Sequence, residues 1–567
     1  MDEKLPDPLK ESASGSPYAP SPASSGDPGV GRVSPVSPPP PAPSPPPAPV
    51  TPTVAEDTPL PPPKPRATSL NPPAPPPPVP SPSAPDAPPP PPPPAPPPPQ
   101  VIPAGGPSAG GNRLERIRSL IRPLFIIGII LLLGFLAVSF LSFDLSRLPL
   151  VGSFFGLSER QVELSYWGLW EDADVVNPLI ADFVKAYEAE NPRVTLTINY
   201  EKRSFGSLEQ YKETLLTRLR QGTGPDIFRL HSSWVGSFEN ELSPLPTSVL
   251  SEEDYAVRFY PAALSSAKVG TDIFAIPLEY DGLVLFYNQK FFKDGKASEK
   301  LKTWEDFRRE AVRLTKWEEN DAEKGNILQA GAAFGTASNV SHASDLLSLL
   351  LAQSGVDPLT ELGTQAGADA LTFYVNFAKK DRVWDATLPF SINAFANGQV
   401  AMVFGPSWRA LDIANLNPKL KFGAVLPPQL PSAPKEGVQW ATFWTEGVSK
   451  DSQETKIAWK LLEFLTREEQ QRKFFSNAAQ NRLFGEPYAL RSLGTTLSDD
   501  AILGPLLAGA PAGVLGKMAA FSGNASYEDV FKQAIGDVLA GRKPAAALKT
   551  AQATIDQLEG RAPQPEQ

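Results

Sequence analysis

The chain has 567 residues, a net charge of −10 and no cysteine, and its only histidines are His231 and His342. These totals exclude disulfides, thiol catalysis, thiolate metal sites and lipid attachment through cysteine, and they leave no basic domain to hold nucleic acid. A histidine-based catalytic or metal site would have to use His231 or His342, which lie far apart in sequence.

Residues 1–112 are of low complexity and hold about two-thirds of the 67 prolines, in runs such as Pro88–Pro94. Almost nothing apolar is available to bury, and proline lacks the donor that helices and sheets need. A disordered tail with polyproline II stretches is expected. It reads either as an inert spacer or as a docking segment for a proline-recognising groove. The next unit, residues 123–143, contains Leu124–Phe143, a run without a charged side chain. As a helix rising about 1.5 Å per residue, that run spans roughly 30 Å, the thickness of a bilayer's hydrocarbon core. Arg113, Arg116, Arg118 and Arg122 precede it, so the positive-inside rule keeps the N-terminus in the cytoplasm and the C-terminal part outside the cell membrane. A cleaved signal sequence is the competing reading. The length of the run and of the segment before it favour a retained single-span anchor.

About 420 residues follow, enough for substantial cores. After a short tether to Glu159, Val162–Trp167 alternates as a strand does. Asn177-Pro178 reads as the opening of a helix whose apolar face is Leu179, Ile180, Phe183, Val184 and Tyr187. Val194–Tyr200 alternates again. Leu208, Tyr211, Leu215, Leu216 and Leu219 give a second helix, stopped at Gly222–Pro225, and Asp226–Leu230 gives a third strand. Strand–helix–strand–helix–strand at this spacing predicts an α/β layer with a mostly parallel sheet, whose ligands bind beyond the carboxyl ends of the strands. Those ends carry Trp170 and Glu171 after the first strand, and His231 and Trp234 after the third.

Asn191-Pro192 with the strand after it, and Gly222-Thr223-Gly224-Pro225-Asp226-Ile227 with the aromatic loop after it, begin a longer pattern. It continues through Phe274–Pro277, Leu285–Asn288, Thr303–Phe307, Phe395–Met402, Gly405–Trp408 and Phe443–Ser449. In order and spacing, across about 160–560, these segments resemble extracellular solute-binding protein family 1, the sugar-type receptors of ABC importers, with maltose-binding protein as the best-known relative. The resemblance implies a two-lobed, periplasmic-binding-protein-like (type II) α/β fold over 160–567, each lobe built from discontinuous chain. Lobe one is expected at about 160–275 and 427–495, and lobe two at about 280–422 and 496–560. Tyr527–Leu539 and Ala545–Leu558 read as closing amphipathic helices, and the last residues, 562–567, should fray.

A sugar needs carboxylates, amides or arginine for its hydroxyl rim and flat aromatics for its C–H faces. Such residues stand at the strand ends and at the crossovers implied by the resemblance. They are Trp170, Glu171, Trp234, Glu279, Tyr280, Asp281, Trp408, Arg409, Phe443, Trp444, Arg482 and Tyr488. Trp234 and Trp444 sit where relatives place aromatics. Trp167, Trp304, Trp317 and Trp459 read as packing or helix-face residues instead. Neither a calcium-type loop nor a histidine pair at metal spacing is visible, so no metal or cofactor is expected. The expectation is a non-enzymatic, membrane-anchored receptor that captures a small solute, a carbohydrate, for the permease subunits of an ABC importer. A membrane-anchored sensor or adhesion protein reusing the domain is the alternative. A glycoside hydrolase using Glu171, Glu279 and Asp281 is a third reading.

Overall fold

The computed structural model describes residues 159–561, apart from 432, 435–436 and 517–522. The Pro-rich tail (1–112), the apolar run (123–143), the tether to 158 and the last residues (562–567) lie outside the described residues. Among the described residues, no helix is long and apolar enough to cross a membrane.

The chain begins with β1 (Arg160–Gly168), α1 (Ala173–Glu190), β2 (Val194–Lys202), α2 (Leu208–Arg220) and β3 (Ile227–His231). β1 pairs in parallel with β2 on one side and β3 on the other, as the strand–helix alternation predicts. Helix α1 starts earlier than Asn177-Pro178, and Pro178 lies inside it. Val175 and Val176 are buried, so the helix gains by including them. Neighbours cover the carbonyls around the proline: Asn477 Nδ2 donates to Val175 O and Lys473 Nζ to Pro178 O. Ser207 caps α2 by accepting from the Gln210 N–H.

A long strand, β4 (Ile276–Asn288), carries the chain out of this first layer. Its first half, Ile276–Gly282, pairs antiparallel with β8 (Gln439–Val448). Its second half pairs on one side with β6 (Val400–Pro406) and on the other with β7 (Phe422–Val425). One strand therefore serves two half-sheets. Between these come α3 (Trp304–Leu314), β5 (Ile327–Ala332), α4 (Ala343–Gln353), α5 (Gln365–Lys379) and α6 (Ser391–Ala396). Thr303 caps α3 through the Asp306 N–H, and Trp304 is buried on the phenylalanines Phe307, Phe334 and Phe404. The strands run β2–β1–β3–β8–β4–β6–β5 through a ten-stranded sheet. Helix α7 (Arg409–Leu416) follows β6; α8 (Thr455–Leu465) and α9 (Glu468–Ala478) follow β8. A short β9 (Gly513–Leu515) pairs with the start of β8, and α10 (Ala525–Leu539) and α11 (Pro544–Leu558) close the chain. Their apolar stripes pack on each other and on α5.

Candidate functional site

The carboxyl ends of β1 and β3 collect aromatic rings. Trp170 is 41% exposed, and its ring stands edge-on to Trp444, with centroids 5.4 Å apart. Trp444 lies on β8 directly across from His231 of β3, with its ring 5.1 Å from the imidazole and 5.8 Å from Trp234. Trp234 itself is 0% exposed, stacked on Phe238 and held near Tyr211. Trp170 and Trp444 therefore offer aromatic surface, and Trp234 backs them from the core. The expectation that Trp234 is a ligand platform is corrected: Tyr211, Phe238 and Trp444 enclose it.

His231 is buried and neutral. Burial, with Lys212 nearby, pulls its pKa down to about 3. The Ser233 N–H points at its Nδ1, so the ring proton sits on Nε2. Ser233 Oγ lies 2.7 Å from the same Nδ1 and accepts from Asn524 Nδ2 at 2.7 Å, while Lys212 Nζ donates to Asn524 Oδ1 at 3.0 Å. These groups border a cleft of about 680 Å³ lined by Lys212, Ser232, Ser233, Trp440, Asn524 and Tyr527, among others. It joins the end of β3 to the segments around α10, residues separated by about three hundred positions.

A second group gathers after β6. The Arg409 guanidinium stacks 4.2 Å over the Trp408 ring, and its Nη1 donates to Asp412. Arg409 Nε donates to His342 Nε2 at 3.1 Å, so His342 carries its proton on Nδ1 and gives it to Asp345 at 3.0 Å. Burial lowers the His342 pKa, which keeps the ring the neutral acceptor that Arg409 needs. Asp345 also accepts from Trp440 Nε1 at 2.9 Å. A buried chain of bonds thus runs from β8 through α4 to the Trp408–Arg409 pair. His342 and Asp345 were not among the expected site residues. Sequence showed only a histidine three positions before an acid on a helix, with no hint of Arg409.

The acids expected at the rim point elsewhere. Asp281 accepts from the Gly282 and Ser407 N–H groups at 2.6 and 2.8 Å and from the Ser407 hydroxyl at 3.1 Å. It staples β4 to the residue after β6, and burial lifts its pKa to about 7. Glu279 is buried with Arg229: Nη1 lies 2.6 Å from its carboxylate, and Arg229 Nε donates to Glu446 at 2.8 Å. Glu171 accepts from Arg482, which also bonds Glu486 at 2.5 Å. Carboxylate oxygens of Glu171, Glu279 and Glu486 all lie within 4.8 Å of one another. That cluster has the donor set of a hard-cation site, but Arg229 and Arg482 already supply its positive charge. Glu171, Glu279 and Arg482 are therefore corrected from rim ligands to members of a buried ion network. The Arg229 guanidinium inside the sheet must be paired, and Glu279 and Glu446 are its partners. Burial pushes Glu171 up to about 7, with Glu486 adding to the rise. Burial would raise Glu486 too, but Arg482 and a hydrogen bond from Glu171 bring it below the usual range. Of the two, Glu171 is the one that takes up a proton first as pH falls.

Three further candidates are core. Tyr280 packs between Tyr260 and Phe443, at 5.2 and 5.4 Å, and Phe443 is 0% exposed. Tyr488 is buried on Phe475 and bridges to Glu279 through its backbone. Arg229, Glu446 and Glu486 were missed by sequence reasoning. The available signal was a single charge inside each apolar strand, Ile227–His231 and Gln439–Val448.

An α/β chain in which one long strand serves two half-sheets has a two-lobed, periplasmic-binding-protein-like architecture. The model of the bacterial extracellular solute-binding protein family matches residues 182–483, more than half of the chain, and the chain belongs to that family. It is a family of binding proteins and not of enzymes. A protein of Brucella abortus (strain 2308), named only provisionally as a binding protein, is 22% identical over 309 residues, 53% of this chain and 71% of the relative. A counterpart in Brucella suis biovar 1 (strain 1330) matches to the same extent. Among solved structures, a cyclo/maltodextrin-binding protein complexed with maltotetraose aligns over 70% of this chain and 97% of its own, with a TM-score of 0.56 and 16% identity. An ABC transporter solute-binding protein of Thermotoga lettingae TMO, bound to α-D-tagatose, covers 70% of this chain and 99% of its own, with a TM-score of 0.50 and 20% identity. At these identities the likeness is one of fold.

Proposed function

We propose that the protein is the receptor of an ABC importer, that its solute is a carbohydrate, and that Leu124–Phe143 anchors it in the cell membrane with the binding domain outside. The observation that carries the ligand class is the Trp170–Trp444 pair, half-open aromatic surface packed on His231, whose Nδ1 meets Ser233 of a cleft rich in hydroxyl, amide and ammonium groups. Aromatic faces take the C–H patches of a pyranose, and the polar groups take its hydroxyls. The two solved relatives carry a ketohexose and a maltodextrin, which supports the same class. The membrane reading rests on the charge-free run and the arginines before it, with the Pro-rich tail on the cytoplasmic side.

The test is a thermal-shift screen of the full chain against mono- and oligosaccharides, polyamines and peptides. A ligand at about one hundred times its Kd stabilises the fold by about 2.7 kcal/mol. A rise with a saccharide is expected. A rise only with polyamines or peptides would overturn the carbohydrate reading. Protease added to intact cells should digest the outward domain and spare the tail; protection of the whole chain would overturn the orientation.

A further inference from the structure

Helix α10 begins against α2, and its own cap residue is turned to that contact. A helix leaves its first N–H groups without partners, and an asparagine at the N-cap ordinarily accepts from one of them with its side chain. Asn524 is the N-cap of α10, yet its side chain makes no such bond. Its Nδ2 donates to Ser233 Oγ at 2.7 Å, just beyond β3, and its Oδ1 accepts from Lys212 Nζ of α2 at 3.0 Å. The Ala525 N–H is taken instead by Glu209 Oε1, at 2.9 Å, from the first turn of α2. There the carboxylate also meets the positive end of the α10 dipole.

The backbone just before the helix is seated as closely. Gly523 has a φ of +70°, and a Cβ on it would lie 3.0 Å from Trp234 Cζ2 and 3.2 Å from the Leu208 carbonyl carbon. Lys212 Nζ stands 5.6 Å from the centre of the same Trp234 ring. The enclosure of Trp234 is thus completed from outside its own layer.

The two sides of this contact belong to different halves of the fold. Helix α2 is tied to the first half-sheet, where the Tyr211 hydroxyl donates to Arg229 O of β3 at 2.6 Å. Helix α10 packs on α4, α5 and α11. Strand β4 runs through both half-sheets and joins them. Hinge closure is the motion open to lobes joined in this way, and swinging one lobe from the other parts α10 from α2. Lys212, Ser233 and Asn524 line the cleft of about 680 Å³; Glu209 is not among the residues that line it.

We propose that Glu209, Lys212 and Ser233 on one lobe and Gly523–Ala525 on the other form a latch that favours the closed receptor, with Glu209 as a positioning residue that acts through Ala525 and not through the solute. The latch is made of the chain's own groups, so it goes beyond the carbohydrate reading and does not depend on it. A few hydrogen bonds bias an equilibrium between open and closed forms without locking it, which leaves solute contacts to supply the rest.

The experiment measures the distance between the lobes with no solute present. The chain has no cysteine, so Glu213→Cys on α2 and Lys380→Cys after α5, both exposed, give a clean spin-label pair on the full chain. Pulsed electron paramagnetic resonance then reads the populations. In the labelled parent the shorter distance should dominate. Glu209→Ala should lower the ratio of shorter to longer distance by about tenfold, the worth of a hydrogen bond to a charged group. Gly523→Ala should act in the same direction, because its methyl group has no room against Trp234 and Leu208. Glu209→Gln keeps an acceptor for the Ala525 N–H and should stay nearer the parent. One distribution shared by the parent, Glu209→Ala and Gly523→Ala, whether short or long, would overturn the latch and leave the carbohydrate reading standing. A saccharide screen without a hit would overturn the carbohydrate reading and leave the latch standing.

Discussion

The raised carboxyl of Glu171 makes a prediction that sequence could not have suggested. Four carboxylates, Glu171, Glu279, Glu446 and Glu486, face two guanidiniums, Arg229 within the first half-sheet and Arg482 at its edge. With the Glu171 carboxyl raised from 4.5 to about 7, its charged form is disfavoured in the fold by about 3 kcal/mol, at about 1.4 kcal/mol per pH unit. Its folded pKa lies above its unfolded one, so this contribution to stability is complete below about pH 4.5 and is lost as pH rises through 7. Glu171→Gln is the perturbation, because an amide keeps the shape and a donor for Glu486 but has no proton to lose. At pH 8.5 the variant should be more stable than the parent by about 2–3 kcal/mol, and at pH 5 the two should agree within about 1 kcal/mol. For a domain of this size that difference is a few degrees in melting temperature at the alkaline end. His231 and His342, both held neutral, push the absolute pH dependence the other way in both proteins, so the difference between the two curves is the readout. Differential scanning calorimetry at both pH values measures it. A variant less stable than the parent by the same amount at pH 5 and pH 8.5 would refute the reasoning: Glu171 would then be a charged partner of Arg482 throughout.

Two further outcomes follow from the same geometry. Trp444→Ala should weaken ligand binding by about 1–3 kcal/mol with a modest change in ligand-free melting point, whereas Trp234→Ala, which empties a fully enclosed site, should cost about 3–5 kcal/mol of stability. Equal destabilisation by both would place Trp444 in the core. Arg229→Met should destabilise by about 3–5 kcal/mol because Glu279 and Glu446 lose their cation, and adding Glu279→Gln and Glu446→Gln should restore much of it; denaturant midpoints give the comparison.

Local pattern determined the elements. Alternation over Val162–Trp167 and Val194–Tyr200, the helical spacing of Leu208, Tyr211, Leu215 and Leu219, and the cap at Thr303 are each set by residues a few positions apart. Period and capping act at that range, so the strand–helix order and the family likeness were legible before any coordinates. The start of α1 was misread because a proline normally opens a helix, and only the burial of Val175 and Val176 against the sheet extends it past Pro178. The direction in which a strand-end side chain points is a different kind of fact. Trp234 and Trp444 are alike in sequence, each an aromatic where relatives place one, yet one is enclosed by Tyr211 and Phe238 and the other borders Trp170. Glu279 and Asp281 read as rim acids until Arg229 and Ser407 arrive as partners from distant strands. A charge buried in a low-dielectric interior must find a counter-charge wherever the fold brings one, and that choice is made between residues far apart in the chain, Arg229 with Glu446 and Glu171 with Arg482 among them. Composition and periodicity carry no record of it. The meeting of Ser233 with Asn524, His342 with Arg409, and the loop 336–341 with α10 exists only once the half-sheets and the closing helices are packed.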